Sequence, residues 1–202
     1  MQYTKHTLPT KFIPLGTIVT VFGTGSEMNN GAVITHEEKK IKGALWGAQV
    51  EFAFLDPAYS LSVPMQQVIS GVLKIGKVTD FQCHMLEHQL GAYTNCNHGA
   101  GLAVIHPVLY RHIYKSGAAR FARFAQNVWG IAPKGSDEET AAAGIDALAA
   151  FIKEIGLPTS FAELGIPDDT DFRAVADSTN ITAGCCKKLT HDEIYEILQE
   201  CL

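Results

Sequence analysis

A chain of 202 residues with 47% hydrophobic and 18% charged side chains is long and apolar enough for one domain or two small ones, and it groups with soluble globular proteins rather than disordered or fibrous ones. Its net charge of −5 disfavours attraction to phosphate backbones and anionic membrane surfaces, so neither a nucleic acid nor a membrane is an expected partner. The longest apolar runs, Ile18 to Phe22 and Leu102 to Ile105, fall far short of the roughly 20 residues a membrane-spanning helix needs.

Met1 to Leu8 carry Lys5 and His6 but no apolar core or small-residue cleavage site, which reads as the absence of a secretory leader and as a cytoplasmic location. From Phe12 to Pro57 the runs Ile18 to Phe22, Gly31 to Thr35 and Val50 to Leu55 are β-rich and punctuated by glycine, predicting short strands. Between the first two lies Gly23-Thr-Gly-Ser-Glu27. Its glycines permit close backbone approach and its hydroxyls can donate to an oxyanion or phosphate, although the same letters also make an ordinary turn.

After Pro64 apolar residues recur at three- and four-residue intervals, so residues 65–202 are expected to be helical and residues 1–64 to form a small β portion. The fold class is therefore mainly α with a small N-terminal β portion, α+β. Gly71 to Lys77 is too short and glycine-rich for a helix and reads as a junction. Ser136-Asp-Glu-Glu139 opens a helix that runs through Ala141 to Ile155 and stops at Gly156 and Pro158. Ser160 to Glu163 and Thr190 to Glu193 start two more, the last with an apolar stripe of Ile194, Ile197, Leu198 and Cys201. The five cysteines, Cys83, Cys96, Cys185, Cys186 and Cys201, form no CxxC pair, and free thiols are expected.

Five of the eight histidines fall between positions 84 and 112. A helix from about Asp80 to Tyr93 would align Asp80, His84 and His88 on nearly one face, because they are four residues apart. His98 follows beyond the Asn95-Cys-Asn97 turn, and the next helix starts at Gly99 with Pro107 bending or breaking it. Imidazole is the commonest ligand for divalent first-row metals, so two histidines from a helix and its adjacent turn can reach one ion. The bland alternative is a set of histidines hydrogen-bonded inside a helix seam. A third reading uses the same letters: His84-Met-Leu-Glu-His88 spells H-x-x-E-H, in which two histidines hold zinc and the glutamate activates water.

The longer context distinguishes these readings. The stretch Asp80 to Pro107, with its H-x-x-x-H pair, the fourteen-residue step from His84 to His98 and the HGxGLAxxxP continuation, resembles the histidine-rich signature of iron-containing alcohol dehydrogenases of the butanol-dehydrogenase type. Pro14 to Thr20, Gly23 to Glu27, Ala32 to Thr35 and Leu55 to Pro64 match that family in the same order, as do Tyr110 to Tyr114, Phe121 to Ile131 and Leu157 to Gly165. The resemblance implies a partial dehydroquinate synthase-like fold, with residues 1–64 a remnant of the nucleotide-binding domain and residues 65–202 a helical metal-binding domain. It implies Fe2+ or Zn2+ held by His84 and His98, with His88 a cleft histidine beside substrate and cofactor. Thr20, Thr24 and Lys42, the last in the following strand, would contact NAD(P). The implied reaction interconverts primary alcohols and aldehydes, and a homodimer is the expected assembly.

The departures from the family matter as well. No glycine-rich GGGS loop precedes Met1-Gln-Tyr-Thr-Lys-His, and no Asp-x-x-x-His pair follows the DPxxxxxxP segment before Leu73. The expectation is thus a truncated chain lacking most of the nucleotide domain and two of four metal ligands. A complete four-ligand zinc site contributes on the order of 10 kcal/mol, and two imidazoles should hold an ion far more weakly. Asp80 or Glu87 would substitute only through rearrangement. The competing expectation is a catalytically silent helical remnant acting as a structural or interaction protein.

Overall fold

Pairing between short strands, with little burial, organises the N-terminal part. The computed structural model describes residues 11–20, 27–56, 58, 81–182 and 186–202, and the chain divides into two units, Met1–Gly76 and Lys77–Leu202. The expectations for Thr24, Gly71 to Lys77, Asp80 and Cys185 lie outside the described residues.

In the first unit, β1 (Gly16–Ile18) runs parallel to β4 (Phe52–Phe54), with Gly16 opposite Phe52 and Ile18 opposite Phe54. The absence of a Cβ at Gly16 lets the Phe52 ring lie over the strand. β2 (Gly31–His36) and β3 (Ile41–Trp46) form an antiparallel hairpin in which Gly31 pairs with Trp46 and His36 with Ile41. Lys40 closes the hairpin in the left-handed region, at φ 50°, and donates its N–H to the Glu37 carbonyl at 3.3 Å. β1, β2 and β4 fall within or beside the predicted runs. No β-rich run marks β3, whose Lys42 and Gly43 break the apolar pattern; pairing with β2 makes it a strand.

The second unit is helical: α1 (Gln82–Thr94), α2 (His98–Ile113), a 3-10 turn (Tyr114–Gly117), α3 (Ala118–Trp129), α4 (Asp137–Glu154), α5 (Phe161–Leu164), α6 (Phe172–Ser178) and α7 (His191–Glu200). The mainly α character expected of the chain is found, in the same place along it. Starts follow the capping grammar: Asn97, Ser136, Ser160, Asp171 and Thr190 each accept a backbone N–H from the first turn of their helix. Among the described helices α7 has the reciprocal capping box, Thr190 with Glu193. Glu163 reaches instead to the Thr159 N–H at 2.7 Å.

Leu86, Leu90, Val104, Ile105, Leu109 and Ile113 of α1 and α2 pack with Phe161, Val175, Ile197 and Leu198 into one core. Phe161 and Phe172 stack with ring centroids 5.5 Å apart. The Phe161 N–H donates to the Cys201 carbonyl at 2.7 Å, tying the last residues to α5. Gln82 is buried, and its amide receives the Leu189 N–H and donates to the Lys187 carbonyl, both at 2.8 Å. One side chain therefore satisfies two backbone groups that lead into α7. α3 and α4 meet closely at Gly144, where a Cβ would lie 2.9 Å from the Ala125 Cα.

Two expectations are corrected here. His98 is the first residue of α2 rather than a turn residue, since Asn97 takes the capping position. Pro107 does not break the helix, which continues to Ile113. Burial of Val104 and Ile105 before it and of Leu109 and Ile113 after it outweighs the roughly 3 kcal/mol that an internal proline costs. No helix among the described residues is long and apolar enough to cross a membrane.

Candidate metal centre

The site is built where α1 turns into α2. His84 and His88, one turn apart on α1, share a face. Asn95 adopts the left-handed conformation, at φ 56°, and donates its N–H to the Gly91 carbonyl at 2.9 Å, closing α1. Asn97 then opens α2 by accepting the Ala100 N–H at 3.0 Å. This tight reversal returns His98 toward the face carrying the other two imidazoles.

The rings converge. Centroids of His84 and His98 are 5.4 Å apart, those of His88 and His98 5.3 Å, and those of His84 and His88 6.2 Å. A fourth imidazole, His106 of α2, has its centroid 6.3 Å from that of His84. Both ring nitrogens of His84 and Nδ1 of His88 are shielded from solvent, whereas the His98 side chain is 39% exposed. One donor atom from each of Glu87, His88 and His98 lies within 4.8 Å of the other two.

Glu87 is fully buried, at 0% exposure. Its Oε2 contacts His98 Nδ1, and its Oε1 receives the Cys96 thiol at 3.9 Å. Gly101 makes room for it, because a Cβ at that position would lie 3.0 Å from Glu87 Cγ. His106 Nδ1 is 2.8 Å from the Leu102 carbonyl and donates to it, which makes Nε2 the acceptor nitrogen of that ring.

Nitrogen donors of borderline softness beside a carboxylate suit Fe2+ or Zn2+, so the residues present fit a divalent ion. The fifth histidine of the cluster plays no part: His112 Nε2 pairs with Glu200 Oε1 at 3.1 Å, joining α2 to α7. Of the other residues singled out from the sequence, Thr20 follows β1 and is exposed, and Lys42 lies on β3 opposite Thr35. Both belong to the strand unit. The proximity of His106 was not legible from spacing to His84, since it comes from the crossing of two helices. Its only trace is the eight-residue step from His98, about two turns along α2.

The model of the Fe-containing alcohol dehydrogenase family, C-terminal part, matches residues 65–202. The chain belongs to the iron-containing alcohol dehydrogenase family. Among its relatives, the probable NADH-dependent butanol dehydrogenase 1 of Bacillus subtilis is 28% identical, with 98% of this chain aligned to 69% of that protein. The NADPH-dependent aldehyde reductase YqhD of Escherichia coli is 27% identical over 76% of this chain and 56% of its own. Relatives of this chain thus include NADH-dependent butanol dehydrogenases and an NADPH-dependent aldehyde reductase. The alignment to the Bacillus protein runs over 268 residues although this chain has 202, so the relative carries aligned-region sequence with no counterpart here.

In fold, the crystal structure of NADH-dependent butanol dehydrogenase A from Thermotoga maritima superposes with a TM-score of 0.84 at 23% identity, covering 95% of this chain and 67% of that one. Escherichia coli YqhD gives 0.83 at 24% identity, covering 96% and 67%. These likenesses establish a partial, helix-rich version of the iron-containing dehydrogenase fold.

Proposed function

We propose that this chain is a metal-dependent, NAD(P)-linked oxidoreductase acting on small primary alcohols and aldehydes. The observation that carries the reading is the convergence of His84, His88 and His98 within ring-contact distance of one another at the α1–α2 reversal. In this reading His84 and His98 hold Fe2+ or Zn2+, which when bound polarises the alcohol or carbonyl oxygen as a Lewis acid. His88 stands beside the substrate, and Thr20, Thr24 and Lys42 contact the dinucleotide. Residues 1–64 belong to the nucleotide-binding part and residues 65–202 to the metal-binding part. A homodimer in the cytoplasm completes the proposal.

The chemistry asked of the chain's own side chains is limited: to fix two lone pairs toward one point and to place the substrate oxygen there. Imidazoles seated on α1 and at the start of α2 are suited to this, because both helices are anchored in the core by Leu86, Leu90, Ile105 and Leu109. The test is NADH- or NADPH-dependent reduction of butanal by the purified full chain after loading with Fe2+ or Zn2+. Turnover that disappears in His84→Ala and His98→Ala is the expected result.

A second reading draws on a different observation. Phe12, Ile13, Ile18, Phe52, Phe54 and Leu55 of the strand unit are exposed, and large apolar side chains open to solvent in this number favour an interaction partner. A catalytically silent remnant that pairs through such surface would show no turnover with either nucleotide while still melting cooperatively and assembling.

A further inference from the structure

Glu87 is the most costly side chain in the helical core. A carboxyl side chain at 0% exposure, on the stretch of α1 that also buries Leu86, Gln89 and Leu90, carries a desolvation penalty that an apolar residue of similar volume would not. Packing alone does not call for it. Its two oxygens are committed, one to the Cys96 thiol and one to His98 Nδ1.

We propose that Glu87 is a positioning residue for the metal centre: its buried carboxylate accepts the Nδ1–H of His98, fixing the tautomer in which Nε2 is the ligating nitrogen. The proposal rests on the reading of His98 as a ligand and goes beyond it by assigning the residue that orients it. Direct ligation by Glu87 is the competing arrangement, and it would require Oε2 to leave the His98 imidazole or Oε1 to leave the Cys96 thiol.

The rest of the site is consistent with this arrangement. α2 fixes His106 in the same tautomer by a different acceptor, the Leu102 carbonyl at 2.8 Å. Two imidazoles on one helix therefore present Nε2, one backed by a carboxylate and one by a backbone carbonyl. A carboxylate behind an imidazole raises its basicity and locks its ring orientation, and removing such a partner typically weakens metal affinity 10- to 100-fold. Gly101 supports the same pair, since any larger residue there meets Glu87 Cγ.

The experiment has a metal-free arm and a metal arm. Long-range 15N–1H correlation spectra of the metal-free full chain at pH 8 report the tautomer of His98, whose signals are identified by their loss in His98→Ala. The expected wild-type result is protonation at Nδ1 with Nε2 bare. Glu87→Met, close in volume but without an acceptor oxygen, should release that tautomer and weaken Co2+ binding 10- to 100-fold with an altered d–d absorption spectrum. Glu87→Gln restores an acceptor and should lie between, a rescue that simple space-filling would not produce; it also carries the test should the Met variant fail to fold. A wild-type His98 protonated at Nε2, or Co2+ affinity in both variants within twofold of wild type, overturns the role of Glu87 while leaving the metal centre standing. A wild type with the Nδ1–H tautomer that takes up no stoichiometric Co2+ overturns the metal centre itself, and with it the ligating role assigned to Nε2.

Discussion

The two units treat their apolar residues in opposite ways. In the helical unit Phe161, Leu86, Ile105 and Ile197 are each at most 1% exposed, and the imidazoles of the candidate metal centre ride on helices anchored by such residues. In the strand unit Phe52 and Phe54 are 61% and 63% exposed, and the two pairs of strands, β1 with β4 and β2 with β3, are separate two-stranded sheets. Two-stranded sheets are marginal on their own. The difference teaches that a ligand constellation needs a packed scaffold to hold its geometry, and that scaffold is present around the histidines.

The sharpest way to break this contrast is to truncate one phenylalanine in each unit. Phe161→Ala should destabilise the chain by about 3–5 kcal/mol, as a buried ring leaving a cavity does, whereas Phe54→Ala should stay within about 0.5 kcal/mol, as exposed changes do. Urea unfolding curves followed by circular dichroism measure both. Equal losses would mean that the strand unit has a core of its own.

A smaller effect sharpens the account of the helical unit. Gln82→Leu leaves the Leu189 N–H and the Lys187 carbonyl without their amide partner, so a loss of about 1–3 kcal/mol is expected in the same unfolding assay. A neutral result would show that water reaches those groups, and that the segment before α7 is not held by α1.

The smallest expected effect is electrostatic. Glu193 is held below the usual carboxylate range by Lys187, and further by the Thr190 N–H that it caps. Because the folded chain binds that proton more weakly than the unfolded chain, the contribution is present above the ordinary value of 4.5 and is lost as pH falls below it. Glu193→Gln should therefore cost about 0.5–1 kcal/mol at pH 7 and markedly less at pH 3, read from thermal melts at the two pH values. A loss that does not change with pH would assign the whole effect to helix capping. The Cys201 thiol, pushed up to about 12 by burial, stays neutral throughout and adds nothing to this dependence.

The sequence by itself determined a good deal. The helical character of the C-terminal part, the caps at Ser136, Ser160 and Thr190, the apolar stripe of the last helix and the shared face of His84 and His88 were all legible, because each rests on residues within about two turns of one another. What only the tertiary structure decided depends on contacts between elements. β3, expected as a strand at Lys42 through the resemblance alone, is held as one by pairing with β2, and Pro107 stayed inside α2 because core residues on either side hold it there. His106 reached the ring cluster from the next helix, and Glu87, offered by the letters only as a water-activating glutamate or a displaced ligand, was brought against His98 by complete burial. Helix crossing and desolvation are set by the whole fold, so the order of residues holds at most a faint trace of them, such as the eight-residue step from His98 to His106.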